Sequence, residues 1–261
     1  MSRRFGIWRG ALLLVSACAI ASMAHADSGN TCSAAATEAI LTQMQPLAPA
    51  NRKVDASRMI CKAWPGQTDT LLATVPLMQE LDVVDDNTGD LEILVLDQPT
   101  LQVRQRLLLP DQMSDDAVRI DQLIFDTAPY QLAAGVRAFG LRIQRIGSSR
   151  VNPYGETELQ LFVIRHGQLA RILDGLLTSQ DGGEWDGDCT GNFHSTSRSL
   201  SMQAAVHHGY RDITVNSSST SSNSSLDSHG DCTSGPETLS HDRQQLQYNG
   251  THYVVPAALK L

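Results

Sequence analysis

Thr157-Glu158-Leu159-Gln160-Leu161-Phe162-Val163 sets apolar side chains at Leu159, Leu161 and Val163 between the polar Glu158 and Gln160. Successive side chains of an extended chain point to opposite faces, so the alternation predicts a strand with one dry face. Asp212-Ile213-Thr214-Val215-Asn216 repeats the pattern. Outward from these two stretches, further short apolar or alternating runs occur at Leu91 to Leu96, Leu101 to Leu109, Phe139 to Ile146, Glu158 to Ile164, Leu169 to Thr178, Ser199 to Val206 and Arg211 to Val215. Gly, Asp, Asn and Pro separate them. Leu169 to Leu177 also fits a helix. Frequent short strands without long helical patterns between them predict a mainly β domain over residues 71–261, arranged as a propeller-like or sandwich assembly of antiparallel hairpins.

Residues 27–70 have a different texture. Ser33 to Gln45 is built of good helix formers, with Ala36, Ile40, Leu41 and Met44 on one face, Ser33 placed to cap the start and Pro46 to stop it. A second short element is expected around Val54 to Ala63, followed by a turn at Trp64-Pro65-Gly66. Residues 1–26 read as an export signal: Arg3, Arg4 and Arg9 precede the apolar run Ala11 to Met23, and Ala24-His25-Ala26 fits a cut before Asp27. Val15-Ser16-Ala17-Cys18 offers the alternative of a lipoprotein with a lipid anchor at Cys18. The expected location is periplasmic or secreted, with no transmembrane span after cleavage.

Export makes the chemistry of the cysteines specific. Cys32, Cys61, Cys189 and Cys232 form an even, widely spaced set without a CxxC pair, so two disulfides are expected. Proximity in sequence favours Cys32 with Cys61 and Cys189 with Cys232. Loss of the three signal arginines takes the formal net charge from −8 to −11. That field repels nucleic acid and attracts basic proteins and divalent cations.

Chemistry-bearing clusters are few. Asp181-Gly182-Gly183-Glu184-Trp185-Asp186-Gly187-Asp188 carries four carboxylates on a glycine-rich backbone; Asp181, Glu184, Asp186 and Asp188 are the candidate metal ligands, and calcium the candidate ion, because hard cations take several converging oxygens. No other cofactor is expected. Asp85 to Asp90 reads first as an acidic turn. Glu156 or Glu158 with Glu184 would supply the paired carboxylates of a sugar hydrolase. Histidines 166, 194, 207, 208, 229, 241 and 252 lie in no recognisable catalytic or metal-binding frame, and no Gly-x-Ser-x-Gly elbow occurs, so no catalytic residue is assigned. Thr214 to Ser228, nearly all Ser, Thr and Asn, is expected to be a mobile loop, since it buries too little apolar surface to offset the entropy of ordering. Arg137, Arg142, Arg145, Arg150 and Arg165 are expected to pair with the surplus carboxylates, Arg142 and Arg145 on opposite faces of one strand.

Gly209-Tyr210-Arg211-Asp212-Ile213-Thr214-Val215 resembles the tail of the calcium loop in FG-GAP, integrin-type propeller repeats, although Ala204, Val206 and His208 stand where that loop places ligands. Leu91 to Leu109 is similar to a blade hairpin. Some bacterial envelope proteins with degenerate propeller-like domains act as inhibitors or immunity proteins. The resemblance therefore implies an exported, non-catalytic protein that binds an envelope protein; a carboxylate-dependent envelope hydrolase and a calcium-stabilised structural module are the alternatives.

Overall fold

A computed structural model of the chain describes residues 31–65, 67–81, 83 and 86–260. The export segment with Cys18, the cut before Asp27, Gly66 of the Trp64 turn and Asp85 lie outside the described residues. The described chain is mainly β, with one α-helix and thirteen antiparallel strands in an open sheet. Helix α1 is Ala34–Met44; Ser33 accepts the Ala36 N–H at 3.2 Å as its cap, and a 3-10 turn at Gln45–Leu47 containing Pro46 ends it. The strands are β1 Lys53–Val54, β2 Ile60–Ala63, β3 Thr70–Met78, β4 Asn87–Asp97, β5 Val103–Asp115, β6 Val118–Ala133 and β7 Val136–Gly147. There follow β8 Tyr154–Arg165, β9 Gln168–Trp185, β10 Gly191–His207, β11 Tyr210–Leu226, β12 Cys232–Ser234 and β13 Thr238–Leu246. Leu169 to Leu177, which also fitted a helix, is strand.

From β3 to β11 each strand pairs with the next, but β5 and β6 share only the pair Asp115 with Arg119. That near-break lets the first five strands stack on the following ones. One core cluster joins Leu72, Leu91, Ile93 and Met113 of β3–β5 to Phe125, Phe139, Leu141 and Phe162 of β6–β8. The opposite face of β8, with Leu159, Leu161 and Val163, packs with Ile213 and Val215 of β11 and with Tyr248, Tyr253 and Leu259. Both faces of β8 are thus covered, so the polar side that the alternation predicts to be wet, with Glu158 and Gln160, is buried instead. Helix α1 seals a third cluster, setting Ala36, Ile40 and Met44 on Ala73, Val75, Leu94 and Leu96.

Both expected disulfides form, Cys32 with Cys61 and Cys189 with Cys232. They mark an oxidising, extracytoplasmic environment. Among the described residues no helix is long and apolar enough to cross a membrane.

Thr214 to Ser228 is not a loop. Residues up to Leu226 belong to β11, whose edges are paired on one side by β10 and on the other by β12 and β13. Entropy is offset here by backbone hydrogen bonding on both edges and by cross-strand hydroxyl pairs such as Thr196 with Ser219 at 2.9 Å, not by apolar burial. Two histidines also have turn roles. His166-Gly167 and His208-Gly209 all have φ between 48° and 88°, the left-handed pair that two-residue hairpins need, and they join β8 to β9 and β10 to β11.

Candidate functional site

The carboxylates of the glycine-rich stretch divide between a strand and a turn. Asp181 and Glu184 lie on β9, three residues apart and hence on opposite faces, while Asp186 and Asp188 follow in the turn to β10. Asp181 accepts the Ser195 hydroxyl at 2.6 Å. Asp186 Oδ1 accepts the N–H groups of Asp188 and Cys189, both at 2.9 Å, which hold its carboxyl below the usual range. Among the described residues no three His, Cys, Asp or Glu side chains converge as metal ligands would.

Gly182 and Gly183 serve packing, because an aromatic ring from β10 lies over each of them. A Cβ on Gly182 would sit 2.6 Å from His194 Cε1, and one on Gly183 would sit 2.6 Å from Phe193 Cδ1 and 2.7 Å from the Asn192 carbonyl oxygen. Gly183→Ala is therefore expected to cost about 1–3 kcal/mol through overpacking. A fall in the urea midpoint at unchanged slope is the measurement; an unchanged midpoint would mean that the Phe193 ring yields freely.

Glu156 and Glu158 form a buried network with Arg145 of β7. Its guanidinium lies 3.3 Å from Glu156 and 3.0 Å from Glu158, whose side chains are 1% and 4% exposed. Tyr154 donates its hydroxyl to Glu156 at 2.5 Å, and burial followed by that carboxylate pushes the phenol upward. Glu158 also accepts from Gln160 at 2.8 Å and from the Gly175 N–H at 3.2 Å. Gly175, with φ 71°, sits where the β8–β9 register shifts, so its N–H is turned out of the ladder onto the carboxylate. Glu184 does not join this pair; it is exposed and lines a shallow depression with Tyr154, Asn192 and His194.

On the other face of β7, Arg142 binds Asp126 at 2.7 Å and the Thr178 hydroxyl at 2.8 Å. Arg145 and Arg142 thus meet carboxylates on opposite faces, as their spacing required. Arg165 and Arg137 bind neutral oxygens instead, the Tyr248 hydroxyl and the Thr127 carbonyl. Asp212, the residue shared with the propeller calcium loop, is fully buried between His207 Nδ1 and Gln245 Nε2, both at 2.7 Å.

Burial pushes the carboxyls of Asp55, Asp90 and Asp126 upward, but hydrogen bonds and arginines outweigh it and all three end below the ordinary carboxylate range. A lowered folded pKa contributes stability that is present above the unfolded value near 4 and is lost as pH falls through the folded one. Asp126→Asn should accordingly lower the melting temperature at pH 7, with the gap to the parent narrowing as pH falls below the ordinary carboxylate range. A gap as wide in acid as at pH 7 would sink the assignment.

A groove of about 760 Å³ lies between the segment after β1, the end of β3 and the β5–β6 hairpin. Arg58 spans its wall, donating from Nε to Asp55 at 2.8 Å and from a terminal nitrogen to Asp115 Oδ2 at 2.7 Å. The Asp115 side chain is 7% exposed, and its Oδ1 has no hydrogen-bond partner among the described residues. An unpaired buried acceptor costs about 1–3 kcal/mol. Arg119, opposite Asp115 in the hairpin, also lines the groove and forms no ion pair among the described residues. Sequence reasoning missed this site because Arg58 reaches Asp115 from a segment far in sequence from the β5–β6 hairpin that carries Asp115 and Arg119.

The chain matches no family model, no curated protein and no solved structure.

Proposed function

We propose that the chain is an exported, non-catalytic envelope protein that binds another protein, in the manner of an inhibitor or immunity factor. The observation that carries this is the outer edge of β13. Its nine residues pair with β11 without a register break, and no strand among the described residues pairs with the other side. Thr238 to Arg243 are exposed on both faces, Leu239 by 60%. A long regular edge is a template for an added strand unless it is blunted by bulges, proline or covering elements. Self-pairing fits poorly, because the full nine-residue overlap centres on Asp242 and sets that carboxylate against its own copy. A partner strand from another protein meets no such conflict. A stacked, sandwich-like arrangement suits the two-sided packing of β8 better than separate propeller blades.

The hydrolase alternative would need Glu156 or Glu158 free to act with Glu184, whereas Arg145 holds both, and Tyr154 holds Glu156, in the interior. The test is capture from envelope extract at low salt, followed by hydrogen exchange on the complex. Protection of β13 amides, and loss of capture in Leu239→Lys/Arg243→Glu at unchanged melting temperature, are expected. No partner at low salt, or a partner that leaves β13 amides exchanging freely, would overturn the proposal. Periplasmic and lipoprotein forms are separated by the mass of the mature N-terminus.

A further inference from the structure

We infer that one face of the sheet, where β8 and β10 begin and β9 and β11 end, binds an uncharged glycan chain laid across the strands. Register fixes the line it would follow. Tyr154 pairs with Gly182, Gly182 with His194, His194 with Ser221 and Ser221 with Thr238, so one row crosses β8, β9, β10, β11 and β13. Directly opposed residues of antiparallel strands share a face. Gly182 leaves a gap in this row between two rings. The His194 ring leans over Gly182 into the space a side chain would fill, and the Tyr154 ring is fixed by its hydroxyl bond to Glu156. Two depressions of about 470 and 420 Å³ adjoin along the row and share Asn192 and His194.

The walls select the occupant. Two residues along the strands, on the same face, Glu184, Asn192 and Asn223 stand in register and are exposed. Amides and a carboxylate exchange hydrogen bonds with the hydroxyls of a sugar, and aromatic rings pack on its C–H face. Among the described residues no arginine or lysine lines either depression, and Glu184 together with the net negative charge of the chain turns anions away. A cation would meet one carboxylate only, because Asp181 lies on the opposite face and accepts the Ser195 hydroxyl. An apolar ligand would leave the amides unpaired. A neutral, hydroxyl-rich chain meets none of these objections. The row spans four strand spacings, about 19 Å, which is room for several linked pyranose units rather than one. The trough lies on a face and the strand-adding edge runs along β13, so either proposal can fail without the other.

Titration of the isotope-labelled intact protein with cellotetraose, chitotetraose, tetragalacturonate, tetralysine and glucose, followed through its amide resonances, tests the inference. Saturable shifts with at least one of the two uncharged tetrasaccharides are expected at residues 152–154, 182–184, 192–194 and 221–223, with glucose and tetragalacturonate each weaker by at least about tenfold. His194→Ala and Asn192→Ala should each weaken that binding by about tenfold, through a lost ring and a lost amide. If His194→Ala lowers the melting temperature, the exposed Asn192 position still decides. No saturable shift with either uncharged tetrasaccharide, shifts confined to other regions, or tetralysine or tetragalacturonate binding as tightly as the uncharged chains would overturn the inference.

Discussion

Arg145→Met is expected to destabilise the protein by about 3–5 kcal/mol, the largest effect of any single substitution outside the apolar core. The reason lies in what remains behind. Glu156 and Glu158 are two residues apart on β8 and thus share a face, 1% and 4% exposed, and Arg145 is the only cation that contacts both among the described residues. Once it is gone, two carboxylates are left in a poorly solvated site without the cation that balanced them. Tyr154 supports Glu156, and Gln160 with the Gly175 N–H supports Glu158, so hydrogen bonding is largely retained while the charge is uncompensated. The triple variant Arg145→Met/Glu156→Gln/Glu158→Gln should recover most of the loss, because it removes the charges along with their partner. Urea unfolding at pH 7 measures both. A loss under about 1 kcal/mol in the single variant would mean that water already reaches the pair, and the buried-network account would fail.

Why some of this was legible and some was not follows from which contacts are local. The strand at residues 157–163 could be read directly, since its dry face, Leu159, Leu161 and Val163, recurs with the period of the extended chain. The helix at Ala34–Met44 was equally plain, with its cap, apolar face and proline stop all within one short window. In β11 the half beyond Asn216 has two wet faces, so its composition is that of a disordered tract. Its order comes from β10, β12 and β13, and a local window does not contain them. Strand β6 was hidden differently, its alternation broken by register shifts around Asp126 to Tyr130. Gly182 and Gly183 suggested a flexible ion-binding loop, yet they make room for rings twelve and ten residues further on. Glu156 and Glu158 showed nothing in sequence of the burial that Arg145 permits. The groove at Asp115 was the least legible feature, as Arg58 reaches it from a segment far from the β5–β6 hairpin that carries Asp115 and Arg119.

Replacing Cys32 and Cys61 by alanine is expected to lower global stability by about 4 kcal/mol, whereas replacing Cys189 and Cys232 should lower it by less than half as much. Loop length alone argues the reverse. The separations are 29 and 43 residues, and the loop-entropy model makes the longer bridge worth more, though by only about 0.3 kcal/mol. Packing decides against that small difference. Cys61 is a buried member of the α1 cluster, pairing with Ala73 in the ladder, and Cys32 packs beside it one residue before the cap of the helix. Opening this bridge frees α1 from the face formed by Val75, Leu94 and Leu96, so local release and loss of core are the same event. Cys232 instead lies exposed on β12, which is held by three residue pairs with Ser224, Ser225 and Leu226. Without its bridge β12 can detach while every core cluster stays intact, and the cost falls on a local opening rather than on global unfolding. Hydrogen exchange separates the two cases. The Cys189→Ala/Cys232→Ala protein should exchange faster only at β12 and the end of β11, and the Cys32→Ala/Cys61→Ala protein should lose protection in α1 together with β2 and β3. Equal falls in the urea midpoint for the two proteins would show that chain entropy, not the packing around Cys61, sets what each bridge contributes.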